Sequence, residues 1–189
     1  MGLFSAFGRN KERRSDGGPQ DDRDAEFRAL AHDLDLEFRR AGQHHLELSG
    51  YIDGYRIVAT ISKFASGVKV RFDSGLSDLS IRSRWQDLRT NRVDFATGDE
   101  AFDASFRVLL KKDGDPASAL DYLNPQRREA IFVLQGIVPI KEIEEDDLEV
   151  RFDAEPSSSE FRQAILGCLN AARALDASTP PQDRVLRAS

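Results

Sequence analysis

An Asp-Gly pair between two stretches of alternating residues is the feature that most narrows the fold of this chain. Two-residue hairpin turns need a positive φ at both positions, and Asp53-Gly54 meets that need. A second turn is predicted at Ser66-Gly67. Apolar residues alternate around these turns at Leu46, Leu48, Ile52, Tyr55, Ile57, Ala59, Ile61, Val68, Val70 and Phe72. We therefore predict a meander of three antiparallel strands with one apolar face.

Helical spacing of apolar residues predicts helices at both ends of this pattern. The first helix is predicted over 24–41, with Gly42 as its stop. The last is predicted after Ser157, which forms a capping box with Glu160. Its apolar face comprises Phe161, Ile165, Cys168, Leu169, Ala172 and Leu175. Amphipathic helices of this kind need an apolar surface to cover.

The middle of the chain predicts further strands and two more helices. Phe102, Phe106 and Val108 are expected on one face of a strand, and Leu79 and Ile81 as an extension of the meander. Helix starts are predicted at two places where an Asp or Asn cap precedes a proline. A second hairpin is predicted with its turn in a run of acidic residues. The helix starts are Asp115-Pro116 and Asn124-Pro125, the longer helix stops at Gly136, and the hairpin pairs 137–140 with 148–152.

Together these elements predict an α+β fold, a two-layer sandwich of a mainly antiparallel sheet covered by amphipathic helices. Twelve Phe among 189 residues favour one globular domain, placed at 24–176. Residues 1–23 are expected to form a flexible N-terminal head and linker, because 9–23 hold no large apolar side chain. Residues 177–189 are expected to form a flexible C-terminal tail.

The cysteine count and the hydropathy pattern favour a cytoplasmic location. A single Cys cannot form an internal disulfide, and no apolar run approaches the roughly 20 residues that span a bilayer. The first residues lack the pattern of a signal peptide. We therefore expect a cytoplasmic protein, with peripheral contact at the inner membrane face as a variant of that expectation. The net charge of −6 argues against general nucleic-acid binding.

Residues 97–108 and 119–128 resemble a pattern found in bacterial proteins that have no assigned activity. The pattern is Gly98-Asp99, Phe102-Asp103-x-x-Phe106-x-Val108 and Leu123-x-Pro125 before a helix, and the likeness covers residues 30–135. The resemblance implies a shared fold in a bacterial protein and assigns no catalytic residue. The order of elements is also similar to that of type III secretion chaperones, which are small, acidic, dimeric α+β proteins, although 74–120 do not fit that likeness.

An arginine-rich stretch with the only tryptophan is the first candidate binding site. Arginine beside an aromatic ring suits phosphate contact and stacking on a base, so a phosphorylated or nucleotide ligand, or a protein partner, is expected here. The alternative is that the arginine stems cover a sheet edge and the tryptophan seals the core. The candidate residues are Arg82, Arg84, Trp85, Arg89 and Arg92.

The N-terminal head is the second candidate site. Apolar residues followed by cations are typical of an interfacial anchor, so docking to an anionic membrane or to a partner is the functional reading, and a disordered start is the alternative. The candidate residues are Leu3, Phe4, Phe7, Arg13 and Arg14.

The remaining reactive residues predict no catalytic group, metal or cofactor. Adjacent His44 and His45 point to opposite faces of a strand, so they do not suit one metal ion. Cys168 lies on an apolar helix face, where an inert thiol is expected. The six acids of 142–149 lack the spacing that wraps a calcium ion and are expected at a solvated hairpin tip.

These patterns favour a non-enzymatic protein-binding module, adaptor-like or chaperone-like, with an unidentified protein partner and with self-association as a further expectation. An enzyme or binding protein for a phosphorylated or nucleotide ligand at 82–92 is the first alternative. A peripheral membrane protein anchored by residues 1–14 is the second.

Overall fold

A sheet of nine antiparallel strands runs through the residues that the structure describes. The structure is a computed structural model, and it describes residues 19–42, 44–73, 78–83 and 91–176. The elements in chain order are α1 (Pro19–Asp33), β1 (Glu37–Gly42), β2 (His45–Ile52), β3 (Tyr55–Ser62), β4 (Ser66–Arg71), β5 (Leu79–Ser83), β6 (Arg92–Asp94), α2 (Glu100–Ser105), β7 (Phe106–Lys111), α3 (Pro116–Tyr122), α4 (Pro125–Ile137), β8 (Ile140–Glu144), β9 (Asp147–Phe152) and α5 (Ser158–Leu175).

The strands lie in the order β1-β2-β3-β4-β9-β8-β5-β7-β6. Alternate strand residues such as Ile57, Val70 and Leu148 are fully buried on one face, where they share a single core with buried residues of all five helices in the described part of the chain. Phe161 of α5 packs edge-on against Phe27 of α1 at 5.7 Å. The predicted α+β sandwich of an antiparallel sheet under helices is confirmed.

The hairpin at Asp53-Gly54 forms as the alternation predicts. Strands β2 and β3 pair with Ile52 opposite Tyr55, and the two turn residues have φ values of 52° and 86°. Strand β4 continues the meander by pairing with β3. The three-stranded meander is therefore confirmed, and its apolar side faces the helices.

The first helix differs from its prediction at both ends. Helix α1 begins at Pro19, inside the segment expected to be a linker, and ends at Asp33. Asp35 then takes a left-handed φ of 54°, and residues 37–42 form strand β1 against β2. The prediction of helix up to residue 41 is wrong because Leu34 and Phe38 fit a helical period, whereas Leu34, Leu36 and Phe38 together fit the period of two of a strand.

Phe102 lies on a helix rather than on the predicted strand. Asp99 caps the short helix α2, which carries Phe102 into the core, and the strand begins only at Phe106. The rings of Phe102 and Phe106 lie 4.8 Å apart, and Phe132 of α4 closes the cluster at 5.4 Å from Phe102. The core role predicted for these residues is confirmed, whereas the shared strand face is wrong for Phe102.

The later helices follow their sequence signals closely, whereas the strand predicted over 137–140 begins only at Ile140. Asp115 and Asn124 accept hydrogen bonds from backbone N–H groups at the starts of α3 and α4. The capping box of Ser157 and Glu160 opens α5, whose apolar face is buried. Helix α4 ends at Ile137, one residue past the predicted stop. Among the described residues, no helix combines the length and the hydropathy that a bilayer span requires.

Strand β5 joins the sheet at a place that its sequence does not show. It pairs with β8 on one side and with β7 on the other, and not with the meander that precedes it. Leu79 and Ile81 are buried residues of a strand. The expectation that this strand extends the meander is wrong, because its neighbours in the sheet are β8 and β7.

Gly67 provides a test of how closely β4 and β9 approach. A Cβ at Gly67 would lie 2.5 Å from the carbonyl oxygen of Val150, so we expect Gly67→Ala to lower the free energy of unfolding by about 1–3 kcal/mol. A Cβ added at Gly136 on α4 would have no neighbour within 4 Å, so Gly136→Ala should raise the free energy of unfolding by up to about 1 kcal/mol. Urea denaturation measures both changes in the free energy of unfolding. An unchanged free energy of unfolding in Gly67→Ala would contradict the close approach of β4 and β9.

Candidate partner-binding face

The face of the sheet opposite the helices is the candidate functional surface. We call it the open face, because the core that the sheet shares with the helices lies on the opposite side. Register places its side chains on alternate positions of neighbouring strands. They are Glu47, Ser49 and Tyr51 of β2, Arg56, Val58 and Thr60 of β3, Gly67, Lys69 and Arg71 of β4, Asp147, Glu149 and Arg151 of β9, Glu142 and Glu144 of β8, Ser80 and Arg82 of β5, and Arg107 and Leu109 of β7.

One half of the open face neutralises its own charges. Arg82 is only 5% exposed and forms ion pairs with Glu142 and Glu144 of the neighbouring strand. Arg92 pairs with Glu144 at 2.8 Å, and Arg82 also donates from Nε to the Ser80 hydroxyl at 3.1 Å. These contacts bury two guanidinium groups against two carboxylates, so we call this set of residues the closed half.

The two carboxylates of the closed half differ in proton affinity. Burial, together with the neighbouring Glu144 carboxylate, raises the pKa of Glu142 above its usual value. Burial also opposes ionisation of Glu144, but the hydrogen bond with Glu142 and the charges of Arg92 and Arg82 outweigh it and lower the pKa of Glu144. Glu142 is therefore the carboxyl group that takes up a proton first as the pH falls.

These ion pairs show that two arginines of the predicted binding site are paired within the chain. Arg82 and Arg92 face carboxylates of their own chain and do not present their charges to solvent. Arg84, Trp85 and Arg89 lie outside the described residues. The stretch and the acidic hairpin are oppositely charged in sequence, and Arg82 and Arg92 are the described residues of the stretch that meet the hairpin's carboxylates.

The acidic run is not the solvated tip that its composition suggests. Only Glu145 and Asp146 form the turn, and Glu145 takes a left-handed φ of 50°. Glu142, Glu144, Asp147 and Glu149 are strand residues with cationic partners across the sheet. The expectation of a solvated tip is therefore wrong for four of the acids, because the strands extend further into the run than its composition indicates.

The other half of the open face keeps an excess of positive charge. Lys69 and Arg71 share Asp147 at 2.9 and 3.4 Å, and Lys141 pairs with Glu149 at 2.8 Å. Arg56 lies opposite Arg71 in register, and Arg151 lies on β9. Within the described residues, the side chains of Arg56 and Arg151 make no ion pair. We call these five cations and two carboxylates the cationic half.

A shallow cleft of about 310 Å³ lies within the cationic half. Val58, Thr60 and Gly67 contribute to its floor, and Lys69, Lys141 and Arg151 contribute charge at its rim. Gly67 has no side chain, so the surface is recessed between the Thr60 and Arg151 positions that flank it in register. The cleft thus offers a small apolar floor beside cations.

Tyr51 stands at the meander end of the same face. It is 67% exposed and lies opposite Arg56 in register. Beyond the strand ends, Asp53 pairs with Arg173, and Tyr55 donates to Asp176 at 2.7 Å. Exposed tyrosine beside arginine is the composition that is enriched where proteins bind one another. Neither residue belongs to a motif, so only the register identifies the pair.

The residues of the bacterial pattern have structural roles. The Asp103 carboxylate accepts hydrogen bonds from the Thr97 and Gly98 backbone N–H groups, and Gly98 takes a positive φ of 80°. Arg128 of α4 donates to Asp99 at 3.1 Å. The pattern therefore fixes a turn and joins α2 to α4.

The other described residues considered for chemistry do not line the open-face cleft. Cys168 is fully buried on α5, and burial raises the pKa of its thiol. His44 is exposed in the turn before β2, and His45 is half-buried in that strand. Among the described residues no group of three His, Cys, Asp or Glu has the arrangement of a metal site. Leu3, Phe4, Phe7, Arg13 and Arg14 lie outside the described residues.

Comparison with known proteins supports the fold. No protein-family model matches the chain, and no curated protein matches its sequence. The crystal structure of the mycobacterial trehalose monomycolate transport factor A, TtfA, is similar, with a TM-score of 0.59 at 9% sequence identity. The likeness covers 83% of this chain and 97% of that one. At this identity the likeness extends to the fold.

Removal of Arg82 tests the closed half. Arg82→Met would leave Glu142 and Glu144 partly buried without their shared cation, so we expect a loss of about 3–5 kcal/mol in the free energy of unfolding at pH 7. The loss should shrink as the pH falls from about 7 to about 3, because Glu142, whose pKa is raised, takes up its proton first and Glu144, whose pKa is lowered, follows at lower pH. Urea denaturation across this pH range measures it.

Arg107→Met is the matched control for this prediction. Arg107 pairs with Asp94 at 2.6 Å, but that carboxylate is 69% exposed. An exposed pair contributes at most about 1 kcal/mol. Equal losses in the two variants at pH 7, or a loss at Arg82 that is independent of pH, would contradict the buried ion cluster.

Proposed function

We propose that this chain is a non-enzymatic protein-binding module, adaptor-like or chaperone-like, which docks a protein partner on the open face of its sheet. The observation that carries the proposal is the pair of Tyr51 and Arg56, which lie opposite each other in register and are both exposed on the open face beside the cationic half. A wide sheet surface with exposed tyrosine and arginine suits recognition of another polypeptide.

The shifted pKa values also support a binding role over an enzymatic one. Hydrogen bonds at helix caps lower the pKa of Asp115 and of Glu160, and the hydrogen bond with Arg107 lowers the pKa of Asp94. Glu142 and Glu144 belong to the buried ion cluster. Each of these shifts in the described residues has a structural partner or a burial that accounts for it.

The fold likeness suggests the same kind of role. TtfA is named as a transport factor, which is an accessory rather than a catalytic description. We extend to this chain only the idea of an accessory protein that works through its contacts. A cytoplasmic location, self-association and an inner-membrane contact through residues 1–14 stay predictions from the sequence.

Site-specific photocrosslinking in cells tests the proposed docking face. We expect a photoreactive phenylalanine derivative in place of Tyr51 to form a covalent adduct with a partner, because the ring is exposed and aromatic replacement preserves its shape. Immunoblotting for a tagged chain then shows a discrete species of higher mass that depends on irradiation.

The same photoreactive residue in place of Gln163 is the matched control. Gln163 is exposed on α5, so it samples the helix side of the molecule. Adducts from Gln163 and none from Tyr51 would move the docking surface to the helices. Adducts from neither position, with normal expression of both variants, would count against the binding role.

A further inference from the structure

We infer that two copies of this chain associate through the outer edge of β1, in one antiparallel register that places Glu37 of each copy opposite Arg39 of the other. The two nine-stranded sheets then continue as one sheet, with the helices of both copies on the same side. This edge is separate from the docking surface on the open face, so the two proposals do not depend on each other.

Strand β1 is the longer of the two sheet edges in the described part of the chain. It spans six residues, Glu37–Gly42, whereas β6 at the opposite edge spans only Arg92–Asp94. Phe38 is half-buried, and the other residues of β1 are exposed. A long exposed edge strand is a template for pairing with a further strand. Strand β1 is therefore the edge that favours association.

The two-residue hairpin between β2 and β3 determines which backbone groups of β1 point outward. Residues that flank such a turn exchange both backbone hydrogen bonds, and bonded positions then alternate along β2. Ser49 and Glu47 therefore bond to β1 rather than to β3. Their register partners on β1 are Glu37 and Arg39. Phe38 lies between these two positions, so its N–H and C=O groups point away from β2 toward the outer edge.

Charge selects one register for the pairing of β1 with its second copy. A two-fold antiparallel pair centres on one residue, which then faces itself across the axis. Centres at Glu37, Arg39 or Arg40 would each place two like charges opposite each other, which destabilises paired strands. A centre at Ala41 would leave most of the strand unpaired. The centre at Phe38 instead places Glu37 opposite Arg39 at two symmetric positions.

The open face of the joined sheet would gain ion pairs in this register. Arg39 pairs with Glu47 of its own chain at 3.3 Å, and the Arg39 side chain is 67% exposed. Glu37 makes no ion pair within the described residues. In the joined sheet Arg39 would lie between Glu47 of its own strand pair and Glu37 of the second copy. Opposite charges on neighbouring strands stabilise an antiparallel sheet.

The helix side of the joined sheet would gain an aromatic pair. Phe38 packs partly against the core, and the guanidinium group of the exposed Arg28 lies 4.8 Å from the centroid of its ring. Pairing brings this ring beside Phe38 of the second copy, next to the buried Leu48 of each chain. Aromatic side chains on paired strands stabilise the contact. The interface is small, so the dimer should be weak and dependent on concentration.

Cysteine crosslinking of the full-length chain tests the register. A chain with Glu37→Cys is mixed with a differently tagged chain that carries Arg39→Cys, and the mixture is oxidised. We expect a disulfide between the two chains, because directly opposed Cβ atoms lie about 5 Å apart. Each variant alone should crosslink at least about tenfold less, because identical positions are then displaced by about two residues along the strands. The native Cys168 is buried and does not compete.

The crosslinking outcomes distinguish the registers. A disulfide of Glu37→Cys with itself, or of Arg39→Cys with itself, as efficient as in the mixture would overturn the register. No crosslink in the mixture would overturn the edge contact.

Sedimentation velocity with charge reversal tests the ion pairs. We expect the average mass of the wild-type chain to rise from 21.2 kDa toward twice that value as its concentration increases. Glu37→Lys should weaken association at least about tenfold, because it places two cations opposite each other at both contacts. A mixture of Glu37→Lys with Arg39→Glu should associate like the wild-type chain, because opposite charges then meet at both contacts.

Glu129→Lys is the matched control, because it makes the same change of charge at an exposed position of α4. It should associate like the wild-type chain, and thermal unfolding checks that each variant keeps its fold. A wild-type chain that stays monomeric up to about 1 mM would overturn the inference. Equal weakening by Glu129→Lys and Glu37→Lys, or no recovery in the mixture, would also overturn it.

Discussion

The ion cluster around Arg82 joins two parts of the sheet that are far apart in sequence. Strands β5 and β8 lie side by side, and Arg82 contacts Glu142 and Glu144 across that seam. The cluster is buried, so each charge depends on its partners for the solvation that water no longer provides. The order of all nine described strands depends on this seam, because β5 links the meander side of the sheet to β7 and β6.

The same seam determines which charges remain for binding. Sequence composition singles out a basic stretch and an acidic run as separate surfaces, but the fold places Arg82 and Arg92 of the first against Glu142 and Glu144 of the second. The arginines that remain exposed include Arg56 and Arg151, which lie on strands without a run of like charges. The open face is thus divided into a closed half, whose arginines are paired with carboxylates of the chain, and a cationic half, in which Arg56 and Arg151 make no ion pair among the described residues.

Local signals in the sequence predict much of the fold. Asp53-Gly54 specifies its hairpin because few residue pairs accept two positive φ values. Asp115, Asn124 and Ser157 mark helix starts because their side chains satisfy backbone N–H groups that have no partner within the helix. The signal is ambiguous at residues 34–38, where apolar spacing fits two periods, and the left-handed turn at Asp35 decides in favour of a strand.

The sequence by itself determined the α+β class, the meander, the helix caps and the buried face of α5, because each depends on residues close together in the chain. Only the tertiary structure decided that Arg82 is a buried structural residue and that Arg56 stands beside Tyr51 on an exposed face. Strand order and cross-strand register are set by contacts between distant residues. The free or paired state of a charge therefore becomes visible only when the sheet is assembled.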